Sequence, residues 1–366
     1  MHKNCLSYPV EFARDAFGES DVLAKVLLGG RDGDAAPRVF IVADQNVVQR
    51  TEGLGMKIGR YVRAHGIELA GSPVVVGGGE KAKLDNAQTA MMVATEMVRA
   101  GMRSGDVVLA MGGGTVLDVA GWAAAQVCGG VPLVRMPTTP EAMLDAAFAE
   151  YAALDSSHLK DAFCVRSVPA GVVVDTSFSA TVLDGVWRGG IGEAVRLAIA
   201  RDAAFFKKLM GVAQAYRDRD AAVLDAVVSD ACAVRMKKGG TSFALWPAMR
   251  LQAMSGWKLP HGYAVAIGVL VGVSYAAAAG AVRESTRDAV VGFLEECGTL
   301  DGLVHSRYLL QQEDALLEGI GEWRRSFPEA RLEALSGLGK TEEIDVPDAG
   351  LMRDALKFLV SLPARR

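Results

Sequence analysis

The chain has 366 residues, 51% of them apolar and 22% charged, with a formal net charge of -4. The length predicts two domains, each able to bury its own core, and the composition excludes a largely disordered chain. Its basic residues are scattered rather than striped, so there is no electrostatic footprint for nucleic acid and a small molecule is the expected partner.

Five cysteines, Cys5, Cys128, Cys164, Cys232 and Cys297, are odd in number and never in a Cys-x-x-Cys pair. That pattern argues against a disulfide framework and a cysteine zinc site, and it fits a reducing cytoplasm. The opening "MHKNCLSYPVEFARDAF" has no apolar core of signal-peptide length. The most apolar run, Ala264 to Val282, approaches membrane length, but its many Ala and Gly residues predict a buried core helix, and no membrane partner is expected.

In chain order, "RVFIVAD" (38–44), "PVVVGGG" (73–79), "DVVLAMGGG" (106–114) and "PLVRMPTT" (132–139) read as buried strands, each ending in Gly, Asp or Thr. Helical patterns over 46–66, 84–103 and 115–128 lie between them. This alternation predicts a parallel sheet with helices on both faces, binding its ligand at the carboxyl ends of the strands. After "GVVVDTSF" (171–178) the chain reads as helix almost to its end, over 187–210, 219–238, 244–256, 262–281, 286–297, 307–326 and 348–361, with loops at "KKGGTS" and "LSGLGK". The fold class expected is a Rossmann-like α/β domain, 1–177, followed by an all-α domain, 178–366.

Within the first domain, "MGGGTVLDVAG" follows a strand and opens a helix. The backbone N–H groups of Gly112, Gly113, Gly114 and Thr115 can converge there on a phosphate without side-chain obstruction. A tight strand-to-helix turn explains the same glycines. Asp44, at the end of the first strong strand, can accept from ribose hydroxyls or can cap the next helix together with Asn46. "GGGEKAK" places Glu80, Lys81 and Lys83 at a further strand end, either as part of that site or as a solvated turn. Three such ends on one sheet edge favour a nucleotide site.

Taken together, "VADQN", "GGGEKAK", "MGGGTVLDVAGWAAA", "MPTTPEAMLDA", "VVVDTSF", "GGIGEAVRLAIARD" and "HGYAVAIG" resemble, in order and spacing, the dehydroquinate synthase family of sugar phosphate cyclases. The resemblance implies an N-terminal NAD-binding domain, a C-terminal helical domain carrying a metal, catalysis in the cleft between them, and a homodimer. It implies cofactor-binding roles for Asp44, Asn46, Glu80, Lys83, Gly112, Gly113, Gly114, Thr115, Asp118, Thr138, Thr139, Phe178 and Thr181. Asp145 matches an aspartate between cofactor and substrate.

The metal-site resemblance is incomplete. It implies zinc on Glu193, on the first histidine of a Gly-His-x-x-Gly-His run, and on His261. That run aligns with Phe243, Ala244, Leu245, Trp246, Pro247 and Ala248, so alanines stand for both histidines. Two protein ligands do not make a catalytic zinc site, and no tightly held zinc is expected. Glu193 and His261 then read as vestiges, with His261 a loop histidine or a metal-free general acid or base.

The substrate positions depart too. Tyr151 replaces a substrate-binding lysine, Lys160 is kept but is followed by Asp161, Arg196 replaces a lysine, Tyr263 replaces a glutamate, and Arg235 stands for another family lysine. Glu193 and Arg196, at i and i+3, also read as a helix-surface ion pair. The expected catalytic set is Asp145, Tyr151, Lys160, Glu193, Arg196, Arg235 and His261, with Tyr263 a further proton carrier. The expected function is an NAD-dependent lyase of the 3-dehydroquinate synthase type acting on a phosphorylated sugar or sugar acid, with an altered substrate. The alternatives are a non-catalytic NAD-binding homologue or a polyol dehydrogenase of the same fold.

Overall fold

The structure, a computed structural model, describes residues 6–29, 37–329 and 331–363, without the side chain of His305; Cys5 lies outside the described residues. Two compact units are present. One comprises Ser7–Ser157 and Asp161–Leu183, the other Leu6, His158–Lys160 and the described chain from Asp184 onward.

The first unit is built on strands β1 (Val10–Phe12), β2 (Val39–Asp44), β3 (Val74–Val76), β4 (Val107–Gly112), β5 (Leu133–Pro137), β6 (Tyr151–Leu154), β7 (Phe163–Arg166) and β8 (Gly171–Val174). Six of them form one sheet in the order β1-β8-β5-β4-β2-β3, parallel throughout. A parallel strand is covered on both faces, which is why β2, β4 and β5 are apolar in consecutive rather than alternate positions; every residue of these three is buried. On one face Val39, Ile41, Leu109, Met111, Val134, Met136 and Val173 form a single core with Leu23, Leu27, Ile58 and Tyr61. The helices Gln88–Arg99 and Gly114–Gln126 pack on each other, the latter also against β4.

The chain runs outward from β2 to β3, then returns to lay β4 on the other side of β2 and continues to β5 and β8. The switch in direction falls between β2 and β4. Sheets of this kind leave a crevice outside the carboxyl ends of the strands at that point, and Asp44 and Gly112 stand on either side of it. At the opposite end of β4, Asp106 accepts from Arg38 Nη2 (2.7 Å) and Arg103 N (2.9 Å). Burial opposes the Asp106 charge, but these arginine contacts outweigh it and bring the carboxyl down to about 2.

The expected helix over 46–66 is two helices, Gln45–Arg50 and Leu54–Ala64. Gly53, at φ +67, makes the break, in a conformation that costs glycine little. A separate antiparallel hairpin joins β6 and β7, with Tyr151 opposite Arg166.

The second unit is mostly helical. Its central helix, His261–Ala278, contacts the helices Asp184–Arg201, Leu245–Met254 and Ala349–Ser361. It holds most of the apolar run Ala264 to Val282 but ends at Ala278, and 67% of it is buried. Glycines set how closely the helices approach. A Cβ at Gly262 would lie 2.5 Å from the Gly189 carbonyl group, and one at Gly192 would lie 2.9 Å from Gly262 O. One expectation is corrected here. The domain read as all-α contains, between the helical patterns 307–326 and 348–361, the strands β9 (Leu332–Gly337) and β10 (Lys340–Ile344), an antiparallel hairpin whose turn is part of the "LSGLGK" break, with Gly339 at φ +78.

Candidate active site

The first unit carries a cradle at the carboxyl ends of β2, β3, β4 and β5. Gly113 is the N-cap of the helix Gly114–Gln126, so the first-turn N–H groups point out of the helix end toward the crevice. Gly112 packs so tightly that a Cβ there would lie 2.6 Å from Val116 Cβ. Side chains at Gly113 or Gly114 would press on Thr139 and Ala146, each at 3.3 Å. The strand-to-helix turn therefore needs glycine for its close packing.

Asp44 is buried, and its Oδ1 accepts from Asn46 N at 2.7 Å, capping the helix Gln45–Arg50. Its Oδ2 lies against Gly78, where a Cβ would come within 2.6 Å. Capping thus occupies one carboxylate oxygen, and the other faces Gly78. Thr139 caps the helix Pro140–Leu144 through Ala142 N (3.2 Å). The neighbouring Thr138 hydroxyl is buried without a hydrogen-bond partner. Phe178 belongs to the sheet core, and Thr181 Oγ1 donates to Phe178 O at 3.0 Å.

Lys83 is not a solvated turn residue. It is buried, with Nζ 2.8 Å from Asp118, 3.1 Å from Asp161 and 3.7 Å from Asp155. Burial works against its charge, but Asp118, Asp161 and Asp155 together outweigh burial and hold the lysine well above its ordinary pKa. Glu80 opens the single 3₁₀ turn Glu80–Ala82 that carries Lys83 inward. Asp155 escapes sequence reading because it has no motif of its own.

Arg135 escapes it as well. Fully buried within β5, its guanidinium donates to the carbonyls of Ala146 (3.1 Å), Ala149 (2.5 Å) and Ser167 (2.9 Å). Burial lowers its pKa. The first two bonds fix the turn that directly follows Asp145, and Tyr151 then emerges half-exposed at the start of β6.

In the second unit, the close approach of the helices at Gly189, Gly192 and Gly262 brings Glu193 to the first residue of the helix His261–Ala278. Glu193 Oε1 lies 3.4 Å from His261 Nε2. Glu193 Oε2 accepts from Arg196 Nε at 2.7 Å. Arg196 Nη1 in turn donates to the carbonyl of Thr241. His261 Nδ1 pairs with Gln252 Oε1 at 2.9 Å. Glu193, Arg196 and Gln252 are all buried, so the expected helix-surface ion pair is corrected: both side chains are 0% exposed, because the helix Asp184–Arg201 is covered around its circumference.

The loop holding Thr241 is itself anchored. Glu333 of β9 accepts from Arg201 Nη2, Thr241 Oγ1, Ser242 N (2.9 Å) and Phe243 N (3.2 Å). Ala244 then begins the helix Leu245–Met254 at φ +66, a left-handed conformation unfavourable for alanine. Gln252 is a residue the sequence did not mark; it lies one helical turn after Ala248, on the same face.

The remaining expected residues of this unit have other surroundings. Lys160 is buried, its Nζ 5.8 Å from the centre of the Trp257 ring. It lines a small cavity with Trp246, Arg250, Glu322 and Trp323. Arg235 is buried in the last turn of the helix Ala221–Lys238. Tyr263 packs against Gly302, where a Cβ would lie 2.8 Å from its ring, and burial raises its hydroxyl pKa.

Zinc does not fit the donors present. Glu193 Oε1, buried without a hydrogen-bond partner, and His261 Nε2 are two donors, and Ala244 and Ala248 offer no lone pair for the third that a catalytic zinc needs. Among the described residues no group of three or more His, Cys, Asp or Glu is placed to hold a metal ion.

Residues 73–187 match the family described as 3-dehydroquinate synthase N-terminal. A 3-dehydroquinate synthase of Pelobacter propionicus is 27% identical over 237 residues, covering 62% of this chain and 66% of that protein. One from Citrifermentans bemidjiense is 30% identical, covering 54% and 58%. The chain thus spans 58% to 66% of the length of the first such relatives. Among solved structures, 2-epi-5-epi-valiolone synthase of Streptomyces hygroscopicus with NAD+ and Zn2+ superposes with a TM-score of 0.82 at 22% identity, covering 98% of each chain. A 2-deoxy-scyllo-inosose synthase with carbaglucose-6-phosphate, NAD+ and Co2+ gives 0.73 at 16% identity, covering 98% of this chain and 99% of that one. The NADH-dependent butanol dehydrogenase A of Thermotoga maritima gives 0.71 at 15%, covering 98% of each.

Proposed function

We propose that this chain, a dehydroquinate synthase-like protein with the fold of the sugar phosphate cyclases, binds NAD and catalyses a cyclase-type elimination of phosphate from a phosphorylated sugar or sugar acid other than the substrate of dehydroquinate synthase. The observation that carries the reading is the glycine turn Gly112–Gly114 at the β2/β4 switch point, with Asp44 across the crevice.

NAD fits the residues present. The N–H groups of the first turn after Gly113 would hold the pyrophosphate, Asp44 Oδ2 a ribose hydroxyl, and the Thr138 hydroxyl a further polar group of the ligand. Asp118 would contact the ligand with Lys83 behind it, tying its carboxylate in place. Glu80, Asn46, Thr115, Thr139, Phe178 and Thr181 complete or support that pocket. When bound, NAD supplies a reversible acceptor for a hydride.

The protein's own groups then divide the remaining work. Asp145, in the sheet unit, is held at the end of the helix Pro140–Leu144 by its N–H bond to Glu141 O (3.0 Å), and Arg135 orders the turn after it. Asp145 and Tyr151 are the proton carriers proposed for this unit. In the helical unit His261 is oriented through Nδ1 by Gln252, with Glu193 Oε1 3.4 Å from its Nε2, and is the proposed proton carrier of that unit. Lys160 and Arg235 are the proposed holders of the substrate anion. Arg196 is not among them, since its guanidinium is sealed against Glu193 and Thr241. Tyr151 in place of a lysine and Asp161 in place of an asparagine, as the family resemblance aligns them, are the changes that set the substrate apart. The reading also carries a cytoplasmic homodimer.

The test is a panel of sugar phosphates and sugar acid phosphates incubated with NAD+, assayed for inorganic phosphate and for NADH. The expected result is phosphate release from at least one member without net NADH, and none from the seven-carbon sugar acid phosphate that dehydroquinate synthase uses. Net NADH from simple alcohols would mark a polyol dehydrogenase instead. NAD+ binding with no turnover on any member would mark a non-catalytic binder.

A further inference from the structure

We propose that the buried guanidinium of Arg196 is the resident cation of the Glu193–His261 site, standing where the charge balance would otherwise call for a divalent metal ion. A buried carboxylate and a partly exposed imidazole 3.4 Å apart form half of a metal site. They also form a net negative group that needs a counterion. Arg196 meets that need from within the same helix, three residues on, at 2.7 Å from Glu193 Oε2.

The guanidinium is itself tied to the Thr241 carbonyl, on a loop that Glu333 and Arg201 fasten to the β9/β10 hairpin. It is therefore a fixed charge, not a mobile side chain covering for an absent ion. Both Arg196 and Glu193 are 0% exposed, so water does not screen the pair. A divalent ion drawn to Glu193 would meet a positive charge already on that carboxylate. Solved relatives of this fold carry Zn2+ or Co2+; here the protein supplies the positive charge from its own chain. The inference rests on the Glu193–His261 geometry and not on the cofactor reading, and the absence of NAD+ binding would leave it intact.

The test uses the full chain and cobalt(II) as the probe. Wild type is expected to show no visible absorption of bound cobalt and no rise in melting temperature when cobalt replaces EDTA. Arg196→Gln, which releases Glu193, is expected to bind cobalt roughly tenfold or more tightly than wild type, and Arg196→Gln/His261→Ala to lose that gain. Cobalt binding by wild type that His261→Ala abolishes would overturn the proposal. So would a folded Arg196→Gln variant with unchanged cobalt affinity. Should Arg196→Gln not fold, the double variant Glu193→Gln/Arg196→Gln, which removes both charges, is expected to melt above either single variant; a double variant no more stable than the singles would also overturn the proposal.

Discussion

The two units hold charge in opposite ways. In the sheet unit one buried cation, Lys83, faces three carboxylates, so the edge beside the glycine turn keeps negative charge and leaves Asp118 and Asp161 partly exposed. In the helical unit one buried carboxylate, Glu193, is matched by one guanidinium, and nothing of that pair is exposed. The first arrangement leaves groups at the surface for a ligand, whereas the second closes on itself. A backbone cradle depends on glycines and on strand order and is hard to alter piecemeal. A metal site depends on a few side-chain lone pairs, and alanine stands at positions 244 and 248.

The largest effect that would sharpen this contrast is expected at Lys83. Lys83→Met leaves three carboxylates without their shared cation, and loss of one partner of a buried charge cluster costs about 3–5 kcal/mol. Chemical denaturation followed by a sheet-unit probe should show that loss together with weakened NAD+ binding. A variant with wild-type stability would break the contrast, because Lys83 would then be dispensable. A smaller effect is expected where the helical unit depends on close approach. Gly262→Ala sets a methyl group 2.5 Å from the Gly189 backbone, and such overpacking costs about 1–3 kcal/mol. The melting temperature should fall, and His261 should become more reactive toward an imidazole-directed reagent as its contact with Glu193 is disturbed.

Much of the sheet unit is legible in the sequence because its signals are local. "RVFIVAD" and "DVVLAMGGG" are continuous β-branched or apolar runs ending in turn residues, and both are strands. β1 is not legible: it has three residues, at the sheet edge, with two of them exposed. The β9/β10 hairpin is missed because "RLEAL" is rich in good helix formers, and pairing with "KTEEI" overrides that propensity. In the helical unit Glu193 and Arg196 have the spacing of a surface pair, and only the helices packed around them bury both. Gln252 and Arg135 belong to no motif. Each becomes visible only when the fold supplies its partner, His261 for the one and the Ala146–Ala149 carbonyls for the other.

The central claim is that the cradle of the sheet unit binds NAD+ whether or not a metal ion is present. Calorimetric titration of the EDTA-treated full chain with NAD+ tests it most directly. The predicted result is one equivalent of NAD+ bound per chain, unchanged by added zinc and lost in Gly113→Val. No binding without zinc, or full binding by Gly113→Val, would contradict it.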